Sequence, residues 1–148
     1  MDKQDWRMEQ QVWQRVRSSR EEAPKNDLRQ LQREALELAQ VYQNLSHQLT
    51  GKQQALAKRL QEGEKANAAA LAGLGKLSRT GGEGIKLWQP GKENASKTLE
   101  KCYHRTRRSM AEYMARSAEG EFGVVFEKMA KRSGEHCALI AELLGSLG

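Results

Sequence analysis

The hydrophobic pattern is clearest near the end of the chain, where inward-type positions recur at alternating steps of four and three. The series runs Phe122, Phe126, Met129, Ser133, His136, Ile140, Leu143 and Leu147. This spacing keeps one face of a helix turned toward a partner over about seven turns, as in a helix bundle, and it predicts a helix over residues 121–147. Ser133 and His136 stand in the middle of that face, where polar side chains are costly to bury without partners. We therefore expect a polar site, or the remnant of one, at the bundle centre.

Three earlier stretches carry the same helical spacing and predict helices over residues 27–49, 51–75 and 95–118. The inward positions of the first are Leu31, Ala35, Leu38, Tyr42, Leu45 and Leu49. Those of the second are Leu56, Leu60, Gly63 with Glu64, Asn67, Leu71 and Leu74. Those of the third are Leu99, Tyr103, Thr106, Met110 and Tyr113. The second helix thus also has two polar residues, Glu64 and Asn67, in the middle of its apolar face.

The segments outside these helices complete the predicted fold. Residues 1–26 read as a short helix around Trp6 and Trp13, packed on the bundle or in a dimer contact rather than on a membrane surface, followed by a linker containing Pro24. Asp27 is the expected N-cap of the first bundle helix. Residues 76–94 are rich in glycine and suit a crossover from one end of a bundle to the other. The fold prediction is all-α, with two antiparallel helical hairpins joined by a crossover loop.

The two predicted hairpins align with each other as an internal repeat. Ala35 and Tyr42 correspond to Thr106 and Tyr113 at one constant offset. At a nearly equal offset, the second and fourth helices correspond through the pairs Leu60 and Met129, Glu64 and Ser133, Asn67 and His136, Leu71 and Ile140, Leu74 and Leu143. The small difference in offset falls in the short connections within the hairpins, where length changes are tolerated. This predicts a bundle with approximate twofold symmetry.

The amino-acid composition narrows the fold class and the kinds of partner to be expected. The chain has 148 residues, two prolines and 5% aromatic residues, which favours helices in a single domain with its own core. The formal net charge of +6 indicates a solvated basic surface. Positively charged residues that could form a patch are interspersed with glutamate, so we do not expect nucleic acid as a partner. With no signal peptide or membrane span in the sequence, we expect a cytoplasmic protein with no membrane partner.

The two cysteines, Cys102 and Cys137, are expected to be buried free thiols, since disulfides are rare in the cytosol. Antiparallel packing of the last two helices would place them toward the same end of the bundle. A thiol pair, or a metal site shared with His136, is the less favoured alternative.

The polar positions resemble the ligand layout of ferritin-like di-iron carboxylate bundles of the rubrerythrin kind. That family takes one glutamate from each of two helices and a Glu-x-x-His pair from each of the other two. The resemblance lies in residues 12–16 (VWQRV), 50–74 (TGKQQALAKRLQEGEKANAAALAGL) and 102–148 (CYHRTRRSMAEYMARSAEGEFGVVFEKMAKRSGEHCALIAELLGSLG). It implies a ferritin-like topology for the predicted bundle.

Most of the implied metal ligands are substituted. Ligand positions of the family are occupied here by Ala35, Asn67, Thr106 and Ser133, and only Glu64 and His136 retain a ligand type. One carboxylate and one imidazole are too few to hold two divalent metals, and a mononuclear site would still need a third strong ligand.

Neighbouring residues do not restore the ligand set. Glu34 and Glu37 flank Ala35 about 100° and 200° round the helix, which places them off the inward face. The remaining acidic residues near the site, and His104, are likewise predicted to be surface groups; the acidic ones are Glu62, Glu112 and Glu135. We therefore interpret Glu64 and His136 as a buried ion pair or hydrogen bond. The polar groups expected to support this pair are Asn67, Thr106, Ser133, Tyr42 and Tyr113.

Two functional hypotheses follow. The first is a non-catalytic structural or interaction module whose di-metal centre has degenerated and which needs no cofactor, with self-association to form a homo-oligomer left open. The second is an oxidoreductase that uses iron or manganese against peroxide or oxygen, as the resemblance would imply for an intact ligand set. Whether the protein is an enzyme is therefore undecided at this stage, with the substituted ligands arguing against it.

Overall fold

The computed structural model describes residues 24–75, 94–118 and 120–147, with side chains from Leu28 onward. This part of the chain forms four α-helices and no strand. They are α1 (Pro24–Gln48), α2 (Gly51–Gly75), α3 (Ala95–Ser117) and α4 (Gly123–Leu147). The predicted N-terminal helix in residues 1–23, and the crossover in residues 76–93, lie outside the described residues. The prediction of an all-α four-helix bundle is confirmed for the rest.

The helices pack as two hairpins, α1 with α2 and α3 with α4. Both chain reversals have a glycine in the left-handed region, Gly51 at the first position of α2 and Gly120 between α3 and α4, each with a φ of +57°. L-residues with a Cβ adopt this conformation at a cost, so glycine is favoured where the chain reverses between helices. The two pairs meet across the bundle chiefly through α2 and α4.

Two apolar clusters fix the directions of the helices. The first cluster joins the end of α1, the starts of α2 and α3, and the end of α4; it includes Leu45, Leu56, Leu99 and Leu143. The second joins the opposite halves of the same helices and includes Leu31, Leu71, Tyr113 and Phe126. Helices α2 and α3 therefore run parallel, and α1 and α4 run antiparallel to them. Consequently the end of α2 and the start of α3, which residues 76–93 connect, lie at opposite ends of the bundle.

The helix boundaries differ slightly from the predictions. Helix α1 begins at Pro24, so Asp27 is not an N-cap and residues 24–26 do not belong to a linker. Proline suits the first turn of a helix, because its φ is already helical and its missing N–H group would have had no intrahelical partner. Asn94, predicted to lie in the crossover, caps α3 by accepting a hydrogen bond from the backbone N–H of Lys97 at 2.9 Å.

The predicted inward faces are buried in most positions. All six of the positions predicted for α1 are buried. Two corrections concern the other hairpin: Phe122 precedes α4 in the turn and is exposed, and in α3 Cys102 and Ser109 are buried more deeply than Tyr103 and Met110. The inward face of α3 is thus rotated slightly from the predicted one.

None of α1 to α4 is long and apolar enough to cross a membrane.

Candidate functional site

The six positions that the ferritin-like resemblance predicts as ligand positions all lie inside the bundle. Ala35 is on α1 and Thr106 is on α3, and the antiparallel helices α2 and α4 contribute two residues each. These are Glu64 and Asn67 on α2, and Ser133 and His136 on α4. Each of the six is at most 3% exposed. The helical spacing places them there because residues three and four apart share one face of a helix. The prediction of a buried polar centre is therefore confirmed.

Glu64 and His136 meet directly across the contact between α2 and α4. His136 Nδ1 lies 3.0 Å from Glu64 Oε1, and both side chains are 4% exposed. With the Glu64 carboxylate oxygen as the acceptor, the Nδ1–H group is the donor, and the bond fixes the orientation of the imidazole ring. The interpretation of these two residues as a buried hydrogen-bonded pair is confirmed.

The other edge of the His136 ring lies against the backbone of α2. A Cβ atom at Gly63 would overlap Nε2 and Cε1 of the imidazole. Only a glycine leaves room for the ring at this point, so Gly63 permits α2 and α4 to approach closely at the level of the site. His136 is therefore held between the Glu64 carboxylate at Nδ1 and the α2 backbone at Nε2.

A guanidinium group also reaches the polar centre. Arg132 Nη1 donates a hydrogen bond of 2.7 Å to Asn67 Oδ1, linking α4 and α2 a second time. Arg132 is half-buried. Burial raises the pKa of the neighbouring Tyr113, and the positive charge of Arg132 partly offsets this rise. The sequence analysis missed this residue, although Arg132 lies four residues before His136 and so shares its helix face.

The hydroxyl groups of the centre do not form the predicted network. Within the described residues, Tyr42 Oη, Thr106 Oγ1, Ser133 Oγ and Asn67 Nδ2 are buried without a hydrogen-bond partner. The Thr106 hydroxyl and the Cys102 thiol nevertheless lie beside the Tyr42 hydroxyl.

Burial dominates the ionisation of the two inward tyrosines. It raises the pKa of Tyr42 well above the ordinary tyrosine value, and the negative charges of Cys102 and Glu64 would raise it further. Burial likewise raises the pKa of Tyr113, with an additional increase from the Glu64 carboxylate. Both phenols are therefore held in the neutral form.

These residues do not fit a di-metal centre. The Glu64 carboxylate is bonded to the imidazole, both ring edges of His136 are occupied, and Asn67 Oδ1 accepts from a cationic guanidinium. A metal would need several of these atoms free and convergent, with anionic ligands to balance its charge. In the parts of the chain that the structure describes, no three histidine, cysteine, aspartate or glutamate side chains come together in a way that could hold a metal ion.

Glu37 was predicted to be a surface charge, and this prediction is wrong. Its side chain is 8% exposed and forms ion pairs with Arg33 on the same helix and with Arg105 on α3. The long arginine side chain neutralises the carboxylate, which lets it be buried off the apolar face. No spacing within one helix indicates such a pair, because its partners lie 68 residues apart. His104 is exposed, as predicted.

The cysteines are free thiols, as predicted. Cys102 is buried in the first apolar cluster, whereas Cys137 is only half-buried. Burial raises the pKa of the Cys137 thiol, and the nearby Arg107 partly offsets this effect. The Cys137 thiol is therefore not placed for ready ionisation at neutral pH.

Comparisons with known proteins do not assign the chain to a family. A scan against protein-family models found no match, and neither did searches of curated proteins and of solved structures. The ferritin-like resemblance therefore rests on the residues themselves.

Proposed function

We propose that the protein is a ferritin-like bundle whose di-metal centre has degenerated, and that it acts as a non-catalytic structural or interaction module. The parallel course of α2 and α3, with the connected ends at opposite ends of the bundle, is the helix arrangement expected of a ferritin-like topology with one long crossover. The equivalent burial of Tyr42 and Tyr113 supports the same relationship between the hairpins.

The observation that carries the functional part is the orientation of His136. Its Nδ1–H group is directed to Glu64 and its Nε2 edge lies against Gly63. The strongest remaining ligand type is thus used to join two helices. The Arg132 guanidinium then brings positive charge to the bundle centre. In an intact di-iron protein, two metal ions would supply the positive charge there.

Metal content and thermal stability test this proposal together. The protein is purified without chelator from cells grown with added iron and manganese, and its metals are measured by elemental analysis. Thermal unfolding is then followed by circular dichroism with and without EDTA. We expect far less than one metal ion per chain and a single cooperative transition that EDTA does not shift.

The variant His136→Ala separates this proposal from the oxidoreductase hypothesis, with His104→Ala as the control for an exposed histidine. A degenerate centre predicts that His136→Ala lowers stability without changing metal content. Near-stoichiometric iron, manganese or zinc that is lost in His136→Ala and kept in His104→Ala would overturn the proposal, and turnover of peroxide would then be assayed.

A further inference from the structure

Large apolar side chains are exposed at one end of the bundle, around the turn between α3 and α4. Among the described residues, the exposed side chains of this kind are Met114 (57% exposed), Phe122 (44%) and Val124 (64%). Single exposed apolar residues are common on protein surfaces, but these three lie close together in sequence on the two sides of one helix reversal. We refer to Met114, Phe122 and Val124 as the end patch.

The opposite end of the bundle has no such concentration in the part of the chain that the structure describes. There the first apolar cluster joins the end of α1 to the start of α2. Leu49 and Leu56, beside that reversal, are each only 8% exposed. The apolar surface left in contact with solvent therefore marks one particular end of the bundle.

This end is also where residues 1–23, the N-terminal segment, join the described helices. Helix α1 starts at Pro24. Leu31, two turns into α1, lies in the second apolar cluster together with Tyr113 and Phe126, which flank the turn between α3 and α4. The rings of Tyr113 and Phe126 are stacked with their centroids 6.5 Å apart. The N-terminal segment therefore enters α1 at the end of the bundle that carries the end patch.

The sequence of the N-terminal segment supplies apolar residues with the spacing and reach that the end patch requires. It contains two of the three tryptophans of the chain, Trp6 and Trp13, together with Val12 and Val16. Trp6 and Trp13 are seven residues apart and Val16 follows three residues later, which is the spacing of one helix face. From Val16 to Pro24 an extended chain spans about 26 Å, whereas two packed helices are about 20–24 Å across. The segment is thus long enough for this face to reach the end patch.

Residues 76–93 leave α2 at the same end, but their tryptophan cannot reach the end patch. They lead to Asn94, which caps α3 at the opposite end of the bundle. Trp88 is six residues before Asn94, and an extended chain of six residues spans about 22 Å at most. Met114 lies about 28 Å along α3 from its first residue. Trp88 therefore serves as an internal comparison for Trp6 and Trp13.

We propose that the N-terminal segment docks on the end patch of its own chain through the face that carries Trp6 and Trp13. Removal of apolar surface from water on both sides drives the contact. The short connection to α1 gives the segment a high effective concentration at the patch, which favours docking within one chain over docking on a second copy. The docked segment covers the apolar surface that the four helices leave exposed.

Tryptophan fluorescence of the full chain tests the proposal. In a Trp88→Phe background the emission comes from Trp6 and Trp13 alone. We expect acrylamide to quench this emission much less in the native protein than in urea. Val124→Asp should weaken docking at least about tenfold, because it removes apolar area and places a carboxylate in the contact. Quenching in this variant should then approach the value in urea. Aspartate suits the first turn of α4, so the replacement leaves the helix intact.

Ala141→Asp is the matched control. Ala141 is exposed toward the other end of the same helix, and its replacement changes the net charge equally. The control should change docking by less than about twofold, as surface replacements away from a contact usually do. Docking within one chain also predicts protection that is the same at all protein concentrations, since only association of two chains follows mass action.

Several outcomes would overturn the proposal. These are native quenching equal to that in urea, protection that persists in Val124→Asp, an equal response to Ala141→Asp, and protection that grows with protein concentration, which would identify a second copy as the occupant. If Val124→Asp alters the melting transition, Met114→Gln replaces it, and wild-type protection in that variant would also contradict the proposal. Because the emission of Trp6 and Trp13 does not report on the bundle centre, these results are independent of the metal analysis.

Discussion

Gly63 and His136 show how a single absent side chain can determine what a buried histidine does. The imidazole of His136 occupies the space that a Cβ atom at residue 63 would fill. The other ring nitrogen, Nδ1, bonds to Glu64, the residue that follows Gly63. In a helix interior, glycine is less favourable than alanine by about 1 kcal/mol. The close approach of α2 and α4 compensates for this local cost.

The first prediction concerns Gly63→Ala, with Gly73→Ala as the matched control in the same helix. A Cβ at Gly73 would meet nothing within 4 Å, whereas one at Gly63 would overlap the His136 ring. We expect Gly63→Ala to lower the free energy of unfolding by about 2–3 kcal/mol, because overpacking outweighs the gain in helix propensity. Gly73→Ala should raise it by up to about 1 kcal/mol. Urea unfolding followed by circular dichroism measures both, and equal effects would refute the described packing.

The second prediction concerns the reactivity of Cys137. Burial raises its thiol pKa, so the reactive thiolate is scarcer in the folded protein at pH 8 than in the unfolded chain. Alkylation by iodoacetamide, located by peptide mass spectrometry, should be several-fold slower at Cys137 in native protein than in urea. Arg107 lowers the same pKa, so Arg107→Gln should slow the reaction further. A native rate equal to that in urea would contradict this environment for Cys137.

Among the elements, α1 and α3 are joined by a polar link in addition to the first apolar cluster. Arg105 of α3 pairs with Glu37 of α1, which also pairs with Arg33 one turn earlier. Each arginine keeps its guanidinium partly solvated while the carboxylate is buried. This geometry reduces the cost of desolvation that usually makes buried ion pairs weak contributors to stability.

Glu37→Ala should therefore destabilise the bundle far more than removal of an exposed acid. It removes the buried carboxylate that Arg33 and Arg105 share, and we expect a loss of about 2–3 kcal/mol after allowance for the solvent access of both arginines. Glu62→Ala is the control, because Glu62 is 72% exposed and lies 3.9 Å from Lys65. Its effect should stay below about 0.5 kcal/mol. Chemical unfolding of both variants measures the two losses of stability. A Glu37→Ala variant with nearly the wild-type free energy of unfolding would refute the proposed link.

At the scale of the helices, the spacing of apolar residues predicted which residues face inward. It did not predict which residues of other helices the long polar side chains contact. The spacing of Glu64 and His136 identified the buried pair because each lies on an apolar face of its own helix. Glu37 was missed because a flexible arginine side chain on another helix reaches it at a position off the apolar face, and Arg132 was missed because a long charged side chain is usually expected to point to solvent. The missing bonds of Thr106 and Ser133 depend on distances between helices, which no sequence spacing specifies.

For the molecule as a whole, the polar centre makes stability depend on pH in the alkaline range. The Tyr42 and Tyr113 hydroxyl groups are held neutral by burial, so the folded state resists an ionisation that the unfolded chain undergoes near pH 10. The pKa of both groups is raised on folding. Their contribution to stability is thus fully present below pH 10 and is lost progressively as pH rises above it.

The last prediction follows from this linkage. The free energy of unfolding should fall by about 1.4 kcal/mol per pH unit for each of the two tyrosines above about pH 10, in addition to a background from lysine residues. Tyr42→Phe and Tyr113→Phe should each reduce the slope by one such increment, and the double variant should retain only the background. Urea unfolding between pH 9 and pH 11.5 gives the slopes, while absorbance at 295 nm in urea gives the titration of the unfolded chain. If neither replacement changes the slope, the phenols ionise as readily in the folded protein as in the unfolded chain, and the buried polar centre would have to be open to solvent.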